Sequence, residues 1–516
     1  MSPAVLLVLP FALPLTAAAL TVLWRHHREA QRITTFASVA GVAACGIGLV
    51  RATRDGVAVA TDIGAWPRGL SIVYAVDGYA ALLLTTMAIV AAVALAFAAG
   101  RGEDRHPMFL PMANVLLSGV FGSLVTADLF NLFVAYEVML IASYVLLTLR
   151  GGRRQVRAGV IYVAVNLLAS TAFLLGTGLL YGVTGTVNLA ALNAVVPGDP
   201  AATVGAGVVA VAVAVKASLV PLHGWLPRAY VEAGPAVTAL FAGLLTKVGV
   251  YTLFRLYSVV FAGDPVWQPL LVAIAAITMV VGVLGAVGRG DVRGILAFHM
   301  VSQVGYLVLP LGVWTTAAVT GGIVYLLQYI FVKGSLFLAA GAVETLTGTG
   351  ALDRLGGMVR TRPVLATGFL LSALALAGIP PTSGFVGKYL LIRSAFETDA
   401  WLLGATAVVV SFFTLLSMIK IWNGVFWGEP TELVTHERTQ GPLGLEVPAA
   451  TPRPTSPSTQ PLVERRRALE LIAPCVVIGV ATLVLGVAAQ WLIALVEPAA
   501  AGLIDPSAYL EAVRAA

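Results

Sequence analysis

Charge is scarce in this sequence. Only 11% of its 516 residues are charged, against roughly 25% in ordinary soluble domains, which excludes a water-soluble globular chain. Cysteine is nearly absent. Cys45 and Cys475 lie far apart in apolar runs, which excludes a disulfide framework and a cysteine-ligated iron–sulfur or haem centre. Each reads as a small buried hydrophobe. No phosphate-binding loop occurs, nor a dinucleotide fingerprint in a soluble βαβ setting. No cofactor is therefore expected, and the chain must draw on an ion gradient or on partners that carry out redox chemistry. Lysine is the scarcest basic residue. Of 31 basic side chains only Lys216, Lys247, Lys333, Lys388 and Lys420 are lysines, each within or at the edge of a long apolar segment. The arginines mostly occupy short polar loops instead of one basic face, so the net charge of +6 gives no sign of nucleic acid binding.

What is present is hydrocarbon. The composition is 59% hydrophobic, and apolar stretches of about 20 residues recur from end to end, each able to cross roughly 30 Å of bilayer core. The expected fold is an all-α polytopic membrane protein of about 14 transmembrane helices. They fall near 3–24, 33–50, 73–99, 108–126, 129–149, 158–182, 203–222, 236–258, 266–287, 292–313, 316–343, 364–395, 401–427 and 469–496. The first (PAVLLVLPFALPLTAAALTVLW) is too long for a signal-peptide core and lacks a basic leader, so it reads as a span. Arginine-rich connections follow the first, fifth, ninth, eleventh and thirteenth (RHHREAQR, RGGRRQVR, GRGDVRG, DRLGGMVRTR and ERRR). By the positive-inside rule these loops are cytoplasmic and both termini lie outside a plasma membrane.

Two spans are expected to be broken. The seventh ends KASLVPLHGWLPRAY and the twelfth contains LAGIPPTSGFVGKYL. Proline removes helix hydrogen bonds, and the freed carbonyls need polar partners inside the membrane. Paired interruptions in corresponding positions mark internally repeated transporters with an ion path at mid-membrane. The expected organisation is a three-helix segment (1–107), two inverted five-helix repeats (108–260 and 261–428) with discontinuous helices 7 and 12, and a C-terminal helix and tail (468–516). Residues 429–467 are polar and proline-rich, and read as a mobile cytoplasmic linker or a partner-docking segment.

Reversible protonation inside the membrane is the function this pattern suggests. A charge in hydrocarbon costs roughly 2.5–3.5 kcal/mol on insertion scales and persists only if paired, hydrated or useful. Arginine stays charged, whereas desolvated lysine gives up its proton readily. Glu137 lies near the centre of the fifth span, with Lys216 its natural partner. Lys247 is mid-span in ALFAGLLTKVGVYTLF with no acidic neighbour in sequence and reads as a proton carrier. Lys388 follows the break in the twelfth span, and Lys333, mid-span in YIFVKGSLFLAAG, is a candidate link between Lys247 and Lys388. Lys420, close to the end of the thirteenth span, reads as a snorkelling residue. His299 carries Ser302 and Gln303 nearby on its helix, and His223 sits in the first break; each reads as a relay or as a hydrogen-bonded packing residue. Asp128 reads as an N-cap or an ion uptake point, the cap being favoured. The sequence names no ligand set for a metal ion.

The stretches DLFNLFVAYEVMLIASYVLL, KASLVPLHGWLPRAYVEAGPAVTALFAGLLTKVGVYTLFR, LAFHMVSQVGYL and GIPPTSGFVGKYLLI resemble the antiporter-like proton-pumping subunits shared by respiratory complex I and the Mrp multisubunit cation/proton antiporters. The first stretch, the lysine of GFVGK and the FWGE ending of the thirteenth span are most similar to the D-type subunits of the Mrp (Mnh) Na⁺/H⁺ antiporters. The resemblance covers nearly the whole chain. It implies that Glu137 and Lys216 form a coupling pair, that Lys247 is the central proton carrier, and that Lys388 serves the exit half-channel. His299 and Lys333 lie on the polar axis between them. It also implies partner subunits of an antiporter complex, a lipid bilayer, protons and Na⁺ as the setting. One departure stands out: relatives often carry a histidine where this chain has Gln328, and glutamine can hydrogen-bond a water wire but takes up no proton. The alternatives are the membrane arm of an NADH:quinone oxidoreductase or membrane-bound hydrogenase, and a structural scaffold with fixed ion pairs.

Overall fold

With no water in hydrocarbon to receive them, backbone N–H and C=O groups must pair within the chain, so long apolar sequence becomes helix. A computed structural model describes residues 3–64, 66, 71–429 and 460–516, with side chains described for all of these except 3 and 460–469. The chain opens with α1 (Pro3–Leu23) and α2 (Arg28–Ala52), then a hairpin of β1 (Val59–Ile63) and β2 (Ile72–Val76). There follow α3 (Gly78–Arg101), α4 (Phe109–Val125), α5 (Leu129–Thr148), α6 (Arg153–Thr184) and the short α7 (Leu189–Val195). The middle of the chain forms α8 (Pro200–Ala217), α9 (Leu226–Ala229), α10 (Pro235–Gly243), α11 (Leu245–Arg255), α12 (Gln268–Val287), α13 (Val292–Val313) and α14 (Thr316–Thr347). The rest is α15 (Met358–Thr361), α16 (Pro363–Ala377), α17 (Ser383–Glu397), α18 (Trp401–Ile421), α19 (Gln460–Val487), α20 (Ala489–Ile504) and α21 (Ser507–Ala515).

Among the described residues, 12 helical segments are long and apolar enough to cross a membrane. The two expected spans outside that set are α4, 17 residues long, and the pair α16–α17, split at Gly378–Thr382. The seventh span also ends early: α8 stops at Ala217, Ser218 turns left-handed (φ 63°), and the chain resumes helix only at Leu226.

Three boundaries differ from the sequence expectation. The expected span 73–99 includes β2, whose residues 73–76 are all buried. Buried on both faces, this strand has no polar alternation and merges with the next helix in a hydropathy reading. Asp77 separates the two, its carboxylate accepting from the Ala80 N–H at 3.0 Å as the N-cap of α3. At the other end, the expected span 469–496 is two helices meeting at Ala488, and the first begins at Gln460, inside the expected linker. The remainder of that linker, residues 430–459, lies outside the described residues.

Burial places the core. The most apolar window of the Pro235–Val260 segment is wholly buried, and α13 and α14 are nearly so, whereas the corresponding windows of α1, α12 and α19 are only one-third buried. The residues on α11, α13 and α14 thus sit at the centre, shielded by helices whose outer faces meet lipid. Two short backbone clasps tie the ends of helices together. In one, Leu129 N–H donates to Val187 O and Leu189 N–H to Ala127 O; in the other, Val292 N–H donates to Gly350 O and Leu352 N–H to Gly290 O. Each residue of the second clasp stands the same number of positions along the chain from its counterpart.

The α4–α5 contact fixes the helix that carries Glu137. A Cβ added at Gly119 would lie 2.4 Å from Met139 N and 2.6 Å from Ala135 O, both backbone. Gly119→Val is therefore expected to push α4 off α5 and cost about 1–3 kcal/mol. The check is the thermal midpoint of the detergent-solubilised protein, and an unchanged midpoint would contradict this packing.

Candidate functional site

Glu137 and Lys216 do not touch directly. Glu137, half-buried midway along α5, accepts a short hydrogen bond from the Ser170 hydroxyl of α6, and the buried Lys216 ammonium donates to the same oxygen at 3.0 Å. Lys216 also donates to Asn166 O at 3.2 Å. The expected pair is therefore bridged by one hydroxyl, which passes the effect of either charge to the other without an ion-pair contact. Ser170 went unnoticed in the sequence, because a serine in a long apolar helix usually bonds its own backbone.

The other three central lysines share one arrangement: a main-chain carbonyl on one side and an aromatic face on another. Lys247, wholly buried, donates to Ala242 O through a short contact and to Thr246 Oγ1 at 3.1 Å, and lies 4.4 Å from the Tyr329 ring centre. The break between α10 and α11 at Leu244 brings that carbonyl within the lysine's reach. Lys333 donates to Leu296 O of α13 at 3.0 Å and lies 5.7 Å from Tyr329 and 5.8 Å from Phe337. Lys388 donates to Ala377 O at 3.3 Å, a carbonyl at the end of α16, and lies 4.6 Å from Tyr306. Last-turn carbonyls have no helical partner, so the break in the twelfth span supplies this acceptor. Among the described residues no lysine lies within salt-bridge distance of a carboxylate; the ion pairs there are all made by arginine.

Three tyrosines join these positions. Tyr329 stacks on Tyr325 (6.0 Å) and Tyr325 lies against Tyr306 (5.7 Å), so a ladder of rings runs from beneath Lys247 and Lys333 to beneath Lys388. Aromatic faces attract ammonium groups by about 0.5–2 kcal/mol without fixing the proton as a carboxylate would. Tyr325, Tyr329 and Lys333 are spaced i, i+4, i+8 on α14, one helical face, and that spacing was the available sequence signal. Gln303 accepts from Tyr325 and its amide reaches Thr414 Oγ1 at 3.4 Å.

The histidines divide. His299 contacts Ser417 of α18 at 2.5 Å through Nε2, and not its helix neighbours Ser302 and Gln303; its Nδ1 has no protein partner among the described residues. Gln328 is fully buried, with both amide atoms likewise unpartnered. His223 lies in the turn after α8, its Nδ1 buried without a protein partner among the described residues. Asp128 caps α5, accepting from Asn131 N–H at 2.7 Å. Lys420 is exposed and donates to the Val287 and Arg289 carbonyls at the end of α12 (3.0 and 2.6 Å), a helix-terminal cation.

Comparison with known proteins agrees with this architecture. Residues 126–414 match the family described as NADH:quinone oxidoreductase/Mrp antiporter, TM. The chain is 38% identical over 516 residues to the D subunit of the Na(+)/H(+) antiporter of Alkalihalophilus pseudofirmus, covering 98% of this chain and 99% of that protein. It is 34% identical to the Bacillus subtilis protein of the same name, with 98% of each covered. Among solved structures, a chain of the Mrp complex from Dietzia sp. DQ12-45-1b matches with a TM-score of 0.91 and 40% identity over 99% of both chains. In sequence and in fold this chain belongs to the membrane-subunit family shared by NADH:quinone oxidoreductases and Mrp antiporters, among its Na⁺/H⁺ antiporter D subunits.

Proposed function

We propose that this chain is the proton-translocating subunit of a multisubunit Na⁺/H⁺ antiporter, working in the plasma membrane beside the other subunits of that complex as a transporter and not an enzyme. The observation that carries this reading is the line of buried lysines held by carbonyls and ring faces with no carboxylate counter-charge. A structural scaffold would balance its charges, as the arginine pairs of this chain do. An ammonium held only by dipoles can instead lose its proton without stranding an anion in hydrocarbon.

The roles follow from position. Lys247, Lys333 and Lys388 pass protons along the tyrosine ladder, with His299 beside it, and Lys388 faces the exit half-channel. Glu137 and Lys216, coupled through Ser170, make that movement sensitive to the state of the neighbouring subunit. Gln328 contributes hydrogen bonds only. We read spans 4–8 and 9–13 as two inverted repeats; the equal chain offset between the two backbone clasps supports a repeat. By the positive-inside rule we read the arginine-rich loops as cytoplasmic and both termini as outside.

A tagged chain drawn from native membranes in mild detergent tests the assembly. Small hydrophobic partner subunits without redox cofactors are expected. Flavin- and iron–sulfur-bearing partners would overturn the antiporter reading in favour of a redox-driven pump.

A further inference from the structure

A second buried polar cluster lies two helical turns from Lys247, outside the lysine line. Lys247, Tyr251 and Arg255 are spaced i, i+4, i+8 along α11, which carries Arg255 about 12 Å beyond Lys247. The Arg255 guanidinium, 3% exposed, donates from Nη2 to Asp77 Oδ1 at 2.8 Å and lies 5.6 Å from the Tyr251 ring and 4.2 Å from that of Tyr509. Tyr79 stacks on Tyr251 at 5.1 Å, and the Tyr79 and Tyr509 hydroxyls are in electrostatic reach of both Asp77 and Arg255. The C-terminal helix α21 closes this end. It packs on β1, β2 and α7, Arg514 reaches Ala190 O at 3.3 Å, and Ser258 Oγ holds the Leu503 carbonyl at 2.5 Å.

A fixed structural ion pair would use its hydrogen-bonding groups. This one does not. Asp77 Oδ2, Arg255 Nε and Nη1, and the Tyr79 and Tyr509 hydroxyls are all buried without a protein partner among the described residues. Buried polar atoms are almost always hydrogen-bonded, to water where protein fails. Five such atoms around one charge pair describe a cluster built to hold several waters.

We propose that Asp77, Arg255, Tyr79 and Tyr509 line a hydrated chamber, capped by α21, that exchanges protons between Lys247 and the membrane face opposite the arginine-rich loops. This rests on the reading of Lys247 as a proton carrier. The ammonium gives its proton to chamber water and becomes the neutral amine; a proton leaves the far end of the water chain, and the amine is recharged from the lysine line. Only N–H and O–H bonds change. Arg255 stays charged throughout, and its attachment to Asp77 keeps hydroxide and other anions from collecting there. The route gives Lys247 an exchange path of its own, distinct from the exit at Lys388.

Two measurements on the assembled complex decide it. Hydroxyl-radical footprinting of the unmodified protein reads hydration directly: Tyr79 and Tyr509 are expected to be labelled well above Tyr162, which is as deeply buried but bonded to Ser143. Labelling no faster than Tyr162 overturns the chamber. The Tyr79→Phe/Tyr509→Phe variant keeps both rings and removes both hydroxyls. It is expected to lower the antiport rate by roughly tenfold at unchanged complex yield and unchanged half-saturating Na⁺. A rate within about twofold of the parent would overturn the route, and Lys247→Ala separates that failure from failure of the antiport reading. Loss of transport in Lys247→Ala with normal rates in the double variant sinks the chamber alone. Normal transport in Lys247→Ala sinks the carrier assignment beneath it.

Discussion

Alanine at position 388 is expected to abolish antiport in vesicles carrying the assembled complex and to leave assembly intact. The two halves of that expectation have different physical grounds. Lys388 is held by the Ala377 carbonyl and the Tyr306 ring, so its removal strands no carboxylate and avoids the roughly 3–5 kcal/mol penalty of an orphaned buried charge. Transport has no such cushion. Losing the group that takes and gives the proton lowers such a step by about 10²–10⁴-fold. Lys388→Met, which restores most of the volume, should be as inactive as alanine, which separates chemistry from packing. Lys388→Arg should also fail, because a guanidinium fills the site with a charge that never leaves. Sodium-driven proton movement in everted vesicles, normalised to complex content, is the measurement. Full activity in the assembled alanine variant would remove Lys388 from the path.

Glutamine at position 137 is expected to reduce antiport by roughly tenfold or more, equivalent to at least ~1.4 kcal/mol of lost coupling. Glutamine keeps the size and offers the Ser170 hydroxyl an amide oxygen, so the local hydrogen bonds survive. What disappears is the negative charge felt by Lys216 through that hydroxyl. Ser170→Ala probes the same link from the middle and should give a smaller loss, with Lys216 left on the Asn166 carbonyl. If Ser170→Ala transports normally while Glu137→Gln does not, the charges act through space and the hydroxyl bridge is incidental. If both transport normally, Glu137 plays no part in coupling.

Much of this was written in the sequence, and the exceptions have causes. Lysines in apolar runs and prolines beside them are readable because each violates the rules of a hydrocarbon environment, so Lys216, Lys247, Lys333 and Lys388 and both breaks could be named in advance. Ser170, Tyr306, Tyr325 and Tyr329 violate nothing. Tyrosine and serine are ordinary in membrane helices, and their part emerges only when α6, α13 and α14 are packed. Strand β2 was hidden because a strand buried on both faces has the hydropathy of a helix. The meeting of α19 and α20 at Ala488 was hidden because no proline marks it and Gly486 beside it is one of many glycines in apolar runs. His299 was singled out as a histidine in an apolar run, yet its partner Ser417 comes from α18, which periodicity along one helix cannot reveal.

The acceptors at Ala242, Leu296 and Ala377 have a consequence for how such proteins diverge. A carbonyl is supplied by whichever amino acid stands there, so these three positions can drift in side chain while the lysine docking points persist. Comparison of relatives, or alanine scanning, would pass over them as silent. Substitutions that shift the helix axis nearby, at residues touching no proton, would instead emerge as the damaging ones. The durable part of this path is its backbone shape, and its tolerance map should follow curvature more than chemistry.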